Sequence, residues 1–278
     1  FNSGTLFYVT LTAKDQSTGS EGTDILLSDI ILRDPLNHNI DYTYANGNIV
    51  IEAPQYIYTG LKVYLQGPYL LGTGGTMRHA LFDLNYIPLT SPYDPTLTLT
   101  ALPTVAPRYI VDWIYVQLRA SATGSFEQPQ SCFLLNDGTV VDINGSPDLA
   151  FEYTGGIEYY TVVRHRNHLA VMSAVPATFS SDPLHVTIAD LTVLDSVYGG
   201  NQYGVDIVEP SVLALCAGDA DQDLGVLPRD NNEYWRMQTG LFGYKSADFD
   251  LDGWVLPNDR NDYWRLNTGK LSQIPSVI

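Results

Sequence analysis

Two stretches near the carboxyl end of the chain repeat one pattern of aspartates. Loop 1 spans residues 219–230 and loop 2 spans residues 248–259, and both carry Asp at positions one, three, five and twelve: Asp219, Asp221, Asp223 and Asp230, then Asp248, Asp250, Asp252 and Asp259. A turn with this spacing brings its carboxylates round one point, where Ca²⁺ takes about six to eight oxygens at about 2.3–2.6 Å. Crowded carboxylates repel one another unless a divalent ion neutralises them. The spacing therefore predicts two Ca²⁺ ions, one in each loop.

The seventh residue of each loop completes the predicted ligand set, because that position supplies a backbone carbonyl in calcium loops. These residues are Gly225 and Trp254. Loop 1 departs from the usual pattern at position six, where Leu224 replaces the expected glycine and Gly225 follows one residue later. The sharp turn of loop 1 is therefore expected to be made differently from that of loop 2.

Each loop leads into a nearly identical segment, 232–236 or 261–265, which is predicted to be an exit helix. An entering helix has no room, because 210–218 is a short apolar run and 240–245 is short and broken by glycine. The sequence thus predicts two loop-plus-helix units packed back to back. Their contact is expected to bury two aromatic pairs, Tyr234 with Trp235 and Tyr263 with Trp264.

This arrangement resembles a dockerin, the small duplicated calcium module that plugs secreted proteins into cohesin domains. Aspartate at position twelve also fits dockerins, whereas Leu227 and Leu256 stand where dockerins often carry a polar residue. The resemblance implies a protein partner, a cohesin-like domain of the same or another chain. It also places partner recognition on the two residues before the last ligand of each loop: Pro228, Arg229, Pro257 and Asn258.

Most of the chain before residue 218 has the period-two alternation that is typical of half-buried strands, as at 61–65 and at 114–119, where Arg119 falls on the polar side. Three pairs are predicted to form tight hairpin turns: Asn46-Gly47, Asp137-Gly138 and Asn144-Gly145. The expected fold class is mostly β, with tandem antiparallel β-sandwiches followed by a small α dockerin-like module of duplicated loop-helix units.

Four segments are predicted: a partial sandwich 1–58, a larger sandwich 59–216, the dockerin-like module 217–270 and a tail 271–278. In the first segment, the predicted strands resemble the closing strands of a cohesin: 6–13, 24–34 and 47–51. In the second, two blocks resemble stretches that precede dockerin-like tails in secreted surface proteins of Bacteroidetes-type bacteria: 112–119 and 159–172. The tail is either a free end, or a clasp on its own module, or an arm for a neighbouring subunit.

Composition excludes several classes of partner. The net charge is −17, from 31 acidic and 14 basic residues, and such an acidic surface does not favour nucleic acid or anionic lipid. No apolar run approaches the roughly 20 residues that span a bilayer, so membrane insertion is not expected.

The start at Phe1, without methionine or a signal peptide, is expected of a processed or truncated product. Cys132 and Cys216 are either one disulfide or two buried thiols.

A catalytic site is not expected. His165 and His168 are spaced as HxxH without the helical HExxH context, and a structural role is favoured over a zinc site. Asp112, Glu152 and Glu158 suit a glycosidase by residue type alone. Exposed aromatic residues leave glycan binding open, although packing is the favoured role of such side chains.

The expected function is that of a non-catalytic extracellular structural or assembly protein, secreted or at the cell surface. Its calcium-dependent module would associate head-to-tail or with other partners, and a homopolymer of this kind could form a surface filament or matrix. One alternative is an accessory carbohydrate-binding or glycan-degrading subunit docked on a separate cohesin scaffold. Another is a surface adhesin with a rigid calcium end-cap. Chelation is expected to melt the module and to leave the sandwiches folded.

Overall fold

The computed structural model describes residues 21–25, 47–51, 55–201 and 204–276. The chain divides into two units, Phe1–Gln55 and Tyr56–Ile278. Strands dominate the described residues, which confirms the predicted mostly-β class. Among the helices of these residues, none has the length and apolar character needed to cross a membrane.

In the first unit, β1 (Glu21–Ile25) pairs antiparallel with β2 (Gly47–Ile51). The predicted strand 47–51 is therefore confirmed. The predicted strand 6–13 and most of 24–34 lie outside the described residues, so the cohesin-like character of this unit stays a prediction.

The second unit contains the remaining strands, a short helix α1 (Ala80–Asp83) and the two helices that follow the acidic loops. In chain order the strands are β3 (Tyr56–Lys62), β4 (Tyr69–Leu70), β5 (Thr76–Met77), β6 (Ile110–Arg119), β7 (Glu127–Leu135), β8 (Val140–Val141), β9 (Leu149–Glu152), β10 (Glu158–Arg164), β11 (Val171–Met172), β12 (Ala177–Thr178), β13 (Ile188–Asp190), β14 (Val205–Glu209) and β15 (Val212–Leu215).

Two sheets form the body of this unit. The larger has the order β11-β10-β6-β7-β8, with β12 also paired to β10, and all of its pairs are antiparallel. The smaller has the order β13-β3-β9, and its β3–β13 pair is parallel, in contrast to the antiparallel pairing expected throughout. The long stretch of chain between these two strands provides the crossover that parallel pairing requires.

Both sheets contribute to one hydrophobic core. Trp113 and Phe133 from the larger sheet have ring centroids 4.0 Å apart, and Leu61 and Leu149 from the smaller sheet belong to the same buried cluster. The sequence predicts Arg119 on the polar face of its strand, but the side chain is buried, and its Nη1 donates to the carbonyl oxygen of Ala122.

Of the three predicted turns, Asn46-Gly47 lies partly outside the described residues, and the other two have different outcomes. Asp137-Gly138 joins β7 to β8 in an antiparallel hairpin, as predicted. Asn144-Gly145 does make a tight turn, in which Gly145 donates to the carbonyl of Asp142 at 3.1 Å. The flanking strands β8 and β9 belong to different sheets, however, so this turn does not close a hairpin.

Each acidic loop is followed by a helix, as predicted. Exit helix 1 spans 228–238 and exit helix 2 spans 257–267. Both have two α-helical residues first and then π-helical geometry at Asp230–Trp235 and Asp259–Trp264. Both end with one α-helical turn, Arg236–Gln238 and Arg265–Asn267. The paired aromatics of the two helices are half-buried against one small cluster: Ala217, Ala220, Ala247, Phe249 and Val255.

The two repeats hold each other by reciprocal hydrogen bonds. The Trp235 indole of exit helix 1 donates to the carbonyl of Leu256 in loop 2 at 3.0 Å. The Trp264 indole of exit helix 2 donates to the carbonyl of Leu227 in loop 1, also at 3.0 Å. Each loop is thus completed by the helix of the other repeat.

The chain after each helix pairs with the opposite loop in the same reciprocal way. After exit helix 1, Leu241 accepts the N–H of Val255 at 2.9 Å, and after exit helix 2, Lys270 accepts the N–H of Val226 at 2.9 Å. The tail continues along its own chain, where Pro275 accepts a hydrogen bond from Arg119 at 2.7 Å. Of the three roles considered for the tail, the structure shows the clasp for residues 270–276.

Candidate metal centre

Three carboxylates converge in each acidic loop. Their oxygens lie within 4.8 Å of one another in two groups: Asp219, Asp221 and Asp223 in loop 1, and Asp248, Asp250 and Asp252 in loop 2. Each group could hold a metal ion, and its oxygen donors suit a hard cation.

The aspartate at position one organises the turn of its loop. Asp219 accepts the backbone N–H groups of Asp223 at 3.1 Å and Leu224 at 3.3 Å. Asp248 accepts the equivalent N–H groups in loop 2 at 3.1 and 3.0 Å. These bonds fold the loop round the carboxylate, which brings the position-three and position-five side chains beside it.

The aspartate at position twelve is buried and closes the loop. One oxygen of Asp230 accepts the N–H of Ala220 at 2.7 Å, and the other accepts the N–H of Leu227 at 2.7 Å. Asp259 makes the same pair of bonds in loop 2. Neither residue belongs to the converging groups found among the described residues, so metal ligation by position twelve stays a prediction.

The seventh residue of each loop donates its own N–H to the position-five carboxylate. Gly225 donates to Asp223 at 3.0 Å, and Trp254 donates to Asp252 at 2.8 Å. These bonds orient the two carboxylates, and the carbonyl ligands predicted at position seven stay a prediction.

Loop 1 turns in the same way as loop 2, which contradicts the expectation from its missing glycine. Leu224 has φ +75°, and Gly253 at the same position of loop 2 has φ +90°. A leucine in the left-handed region costs about 1–2 kcal/mol. The carboxylate contacts of the loop therefore outweigh the backbone preference of residue 224.

Burial raises the pKa of the position-one carboxyl group in each loop. It raises the pKa of Asp219 to about 8, with the charges of Asp230, Asp223 and Asp221 adding to the effect. Burial likewise raises the pKa of Asp248 to about 8. A divalent cation at the centre of each group would remove this penalty, since it stabilises the charged carboxylates.

One oxygen in loop 1 is buried without a hydrogen-bond partner. The Asp221 side chain is 3 % exposed, and its Oδ2 accepts no hydrogen bond within the described part of the chain. Arg229 Nη1 lies 3.3 Å away, which is an ionic contact outside hydrogen-bond geometry. Such an orphaned oxygen in a carboxylate cluster is suited to a cation.

The four predicted partner-binding residues lie at the helix starts. Pro228 and Pro257 are exposed there. Arg229 contacts Asp221 and also bonds Glu233 at 2.9 Å, while the Asn258 amide donates to Asp250 at 2.9 Å. The residue at position eleven thus contacts the carboxylate at position three of its own loop. Recognition of a partner by the four residues stays a prediction.

Loop 2 is joined to the sandwich by contacts that the sequence analysis missed. Asn167 donates to the Asp248 carbonyl at 2.6 Å, and Arg78 donates to the Asp250 carboxylate at 3.2 Å. Gly67 lies so close to the loop that a Cβ there would overlap the carbonyl oxygen of Phe249. Sequence spacing holds no signal for these partners, because they lie far away along the chain.

A buried ionic network adds to these contacts between the repeats and the sandwich. It also explains the role of Asp112. His165 Nε2 and Arg166 Nε lie 3.1 and 2.8 Å from Asp112 Oδ2, and the Tyr244 hydroxyl donates to Oδ1 at 2.7 Å. Burial alone would raise the pKa of Asp112, but the charge of Arg166 is the chief factor that lowers it to about 2. Arg166 also donates to the Lys245 carbonyl in the linker between the repeats.

The histidine pair is structural, as the sequence analysis favoured. Gly67 donates its N–H to His168 Nε2 at 3.2 Å, and His168 Nδ1 lies 2.8 Å from the Asn167 side-chain oxygen. Burial lowers the pKa of both His165 and His168, so they are neutral.

The remaining candidates are spread over the molecule. Glu152 and Glu158 are exposed, whereas Asp112 is completely buried in its ionic network. Cys132 and Cys216 are buried free thiols, which decides between the two alternatives. Burial raises the pKa of both thiols.

No protein-family model, curated protein or solved structure matches this chain. Its function is therefore argued from the geometry of the two loops and their surroundings.

Proposed function

We propose that this chain is a non-catalytic extracellular assembly protein that binds two Ca²⁺ ions and attaches to a protein partner through its dockerin-like repeat pair. The observation that carries the proposal is the exact duplication of the carboxylate geometry in two loops that complete each other.

Calcium is favoured over other metals by the donor set. Each converging group offers carboxylate oxygens and no sulfur or imidazole. Hard oxygen donors in a flexible turn suit Ca²⁺, whereas Mg²⁺ demands a tighter octahedral site. The orphaned Asp221 oxygen and the buried Asp219 and Asp248 carboxyl groups each gain from a divalent charge.

The partner is proposed to be a cohesin-like protein domain of the same or another chain. Met237 and Leu266 occupy the same position of the two exit helices, and their side chains are 74 % and 66 % exposed. Exposed aliphatic side chains at matching positions suit a protein surface better than a charged polymer. A head-to-tail contact between copies would produce a filament unless it closed into a ring.

Calcium titration by calorimetry and sedimentation velocity on the purified chain tests both parts of the proposal. We expect two Ca²⁺ ions per chain, and larger particles in calcium than in chelator at high protein concentration. Asp221→Asn is the companion variant, and it should lose one ion. Binding of no calcium would overturn the proposal, and monomers alone in saturating calcium would overturn its self-association.

A further inference from the structure

The two acidic loops have nearly the same sequence but different surroundings. The position-three carboxylates are buried in both loops, since the side chains of Asp221 and Asp250 are 3 % and 6 % exposed, and the loops differ in the partners that surround them. The hydrogen bonds of the loop 1 side chains are made within the repeat pair. Loop 1 meets the sandwich at its two ends, where Gly218 donates to the Asn167 carbonyl at 3.0 Å and Val226 packs on Leu169 and Cys216. In loop 2 the acidic part itself lies against the sandwich.

Contacts on three sides fix the backbone of loop 2. Asn167 holds the carbonyl of Asp248, and the backbone at Gly67 packs directly on Phe249. On a third side, a Cβ at Gly253 would lie 2.9 Å from Leu84. The loop cannot open without displacing parts of the sandwich.

The linker that leads into loop 2 is fixed as well. Tyr244 donates to the buried Asp112, and the Arg166 guanidinium lies 4.1 Å from the Tyr244 ring centroid. Asp112 and Arg166 belong to β6 and to the segment after β10, so the linker is bonded to the centre of the larger sheet.

We infer that loop 2 is a structural metal site that locks the repeat pair to the sandwich, while loop 1 is the exchangeable site that responds to calcium concentration. This inference rests on the proposed calcium function. Loss of the ion removes the centre that holds the loop 2 carboxylates together, and any rearrangement of them reaches the sandwich through Gly67 and Asn167. The acidic part of loop 1, residues 219–225, makes its side-chain hydrogen bonds within the repeat pair, so an empty loop 1 relaxes there. Removal of calcium therefore loosens the sandwich too, in contrast to the expectation from sequence.

Hydrogen exchange on a matched pair of variants tests the inference. Asp223→Asn and Asp252→Asn remove the same position-five carboxylate from loop 1 and loop 2. In saturating calcium, Asp252→Asn should raise amide exchange in residues 78–86, which contact loop 2 through Arg78, Leu84 and Tyr86, by at least about tenfold, and Asp223→Asn should leave it unchanged. Equal effects of the two variants on these residues would overturn the inference.

Gly67→Ala tests the contact between the sandwich and loop 2 without changing a carboxylate. The added methyl group should lower the calcium affinity of one site by at least about tenfold and leave the other site unchanged. Gly156→Ala is the control, because a Cβ there meets only the Tyr159 side chain, at 3.2 Å. Two unchanged sites in Gly67→Ala would overturn the inference and leave the proposed function intact, whereas a wild-type chain that binds no calcium would overturn both.

Discussion

Leu224 illustrates how the loop imposes a conformation on a single residue. Its backbone is left-handed, with φ +75°, and its N–H donates to Asp219 at 3.3 Å. Glycine would adopt this conformation without steric cost. Loop 1 therefore stores strain that loop 2 avoids through Gly253.

Replacing Leu224 by glycine should stabilise the protein. The change relieves about 1–2 kcal/mol of backbone strain and costs about 0.4–1 kcal/mol through the freer unfolded chain. We expect a net gain of roughly 0.5–1 kcal/mol in the free energy of unfolding, measured by chemical denaturation.

Leu251→Gly provides the contrast for this prediction. Leu251 also has positive φ, +56°, but its side chain is buried in the main core. Loss of that burial should outweigh the relief of strain and destabilise the protein. If Leu224→Gly were as destabilising as Leu251→Gly, strain at residue 224 would not be the controlling factor.

At the scale of elements, each exit helix stabilises the acidic loop of the other repeat. Each helix supplies one indole N–H to a loop carbonyl in the other repeat, at 3.0 Å in both cases. Damage to one helix is therefore expected to appear in the loop of the other repeat.

The variant Trp235→Phe should loosen loop 2 although the mutation lies in exit helix 1. It removes the donor to the Leu256 carbonyl, a bond worth about 0.5–1.5 kcal/mol. Hydrogen exchange should rise in residues 254–258 and not in 225–229. Tyr234→Phe is the control, since no hydrogen bond of the Tyr234 hydroxyl occurs within the described residues. Faster exchange confined to residues 225–229 would contradict the prediction.

At the scale of the whole molecule, the tail forms backbone hydrogen bonds with loop 1 in the same way as the linker between the repeats does with loop 2. Ser272 donates its N–H to the Leu224 carbonyl at 2.9 Å, as Gly243 donates to the Gly253 carbonyl at 2.9 Å. The linker is held at both ends by the repeats, whereas the tail follows the last helix.

Truncation after Gly269 should therefore weaken calcium binding at loop 1 alone. It removes two backbone bonds to that loop, made by Lys270 and Ser272, each worth about 1 kcal/mol. The affinity of one site should fall by up to about thirtyfold, as measured by calorimetry. Truncation after Ser276 keeps both bonds and is the matched control. An equal loss at both sites would show that the tail acts on the repeat pair as a whole.

The acidic loops and the exit helices were predictable because their determinants are local. Aspartates at a fixed spacing converge by turn geometry alone, and the helices follow from a duplicated segment. The same local rules failed at Leu224, where hydrogen bonds to Asp219 outweigh the backbone preference of leucine. They also failed at Arg119, whose burial depends on partners elsewhere in the chain.

The sequence by itself determined the mostly-β class and the duplicated carboxylate groups. Tertiary structure decided that Asp112, His165 and Arg166 form a buried ionic network, and that the acidic part of loop 2 is bonded to the sandwich through Asn167 and Arg78. Loop spacing is encoded within a dozen residues, whereas this network and these bonds depend on contacts between residues far apart in the chain. Because such contacts form when the sheets pack against each other, no local sequence pattern predicts them.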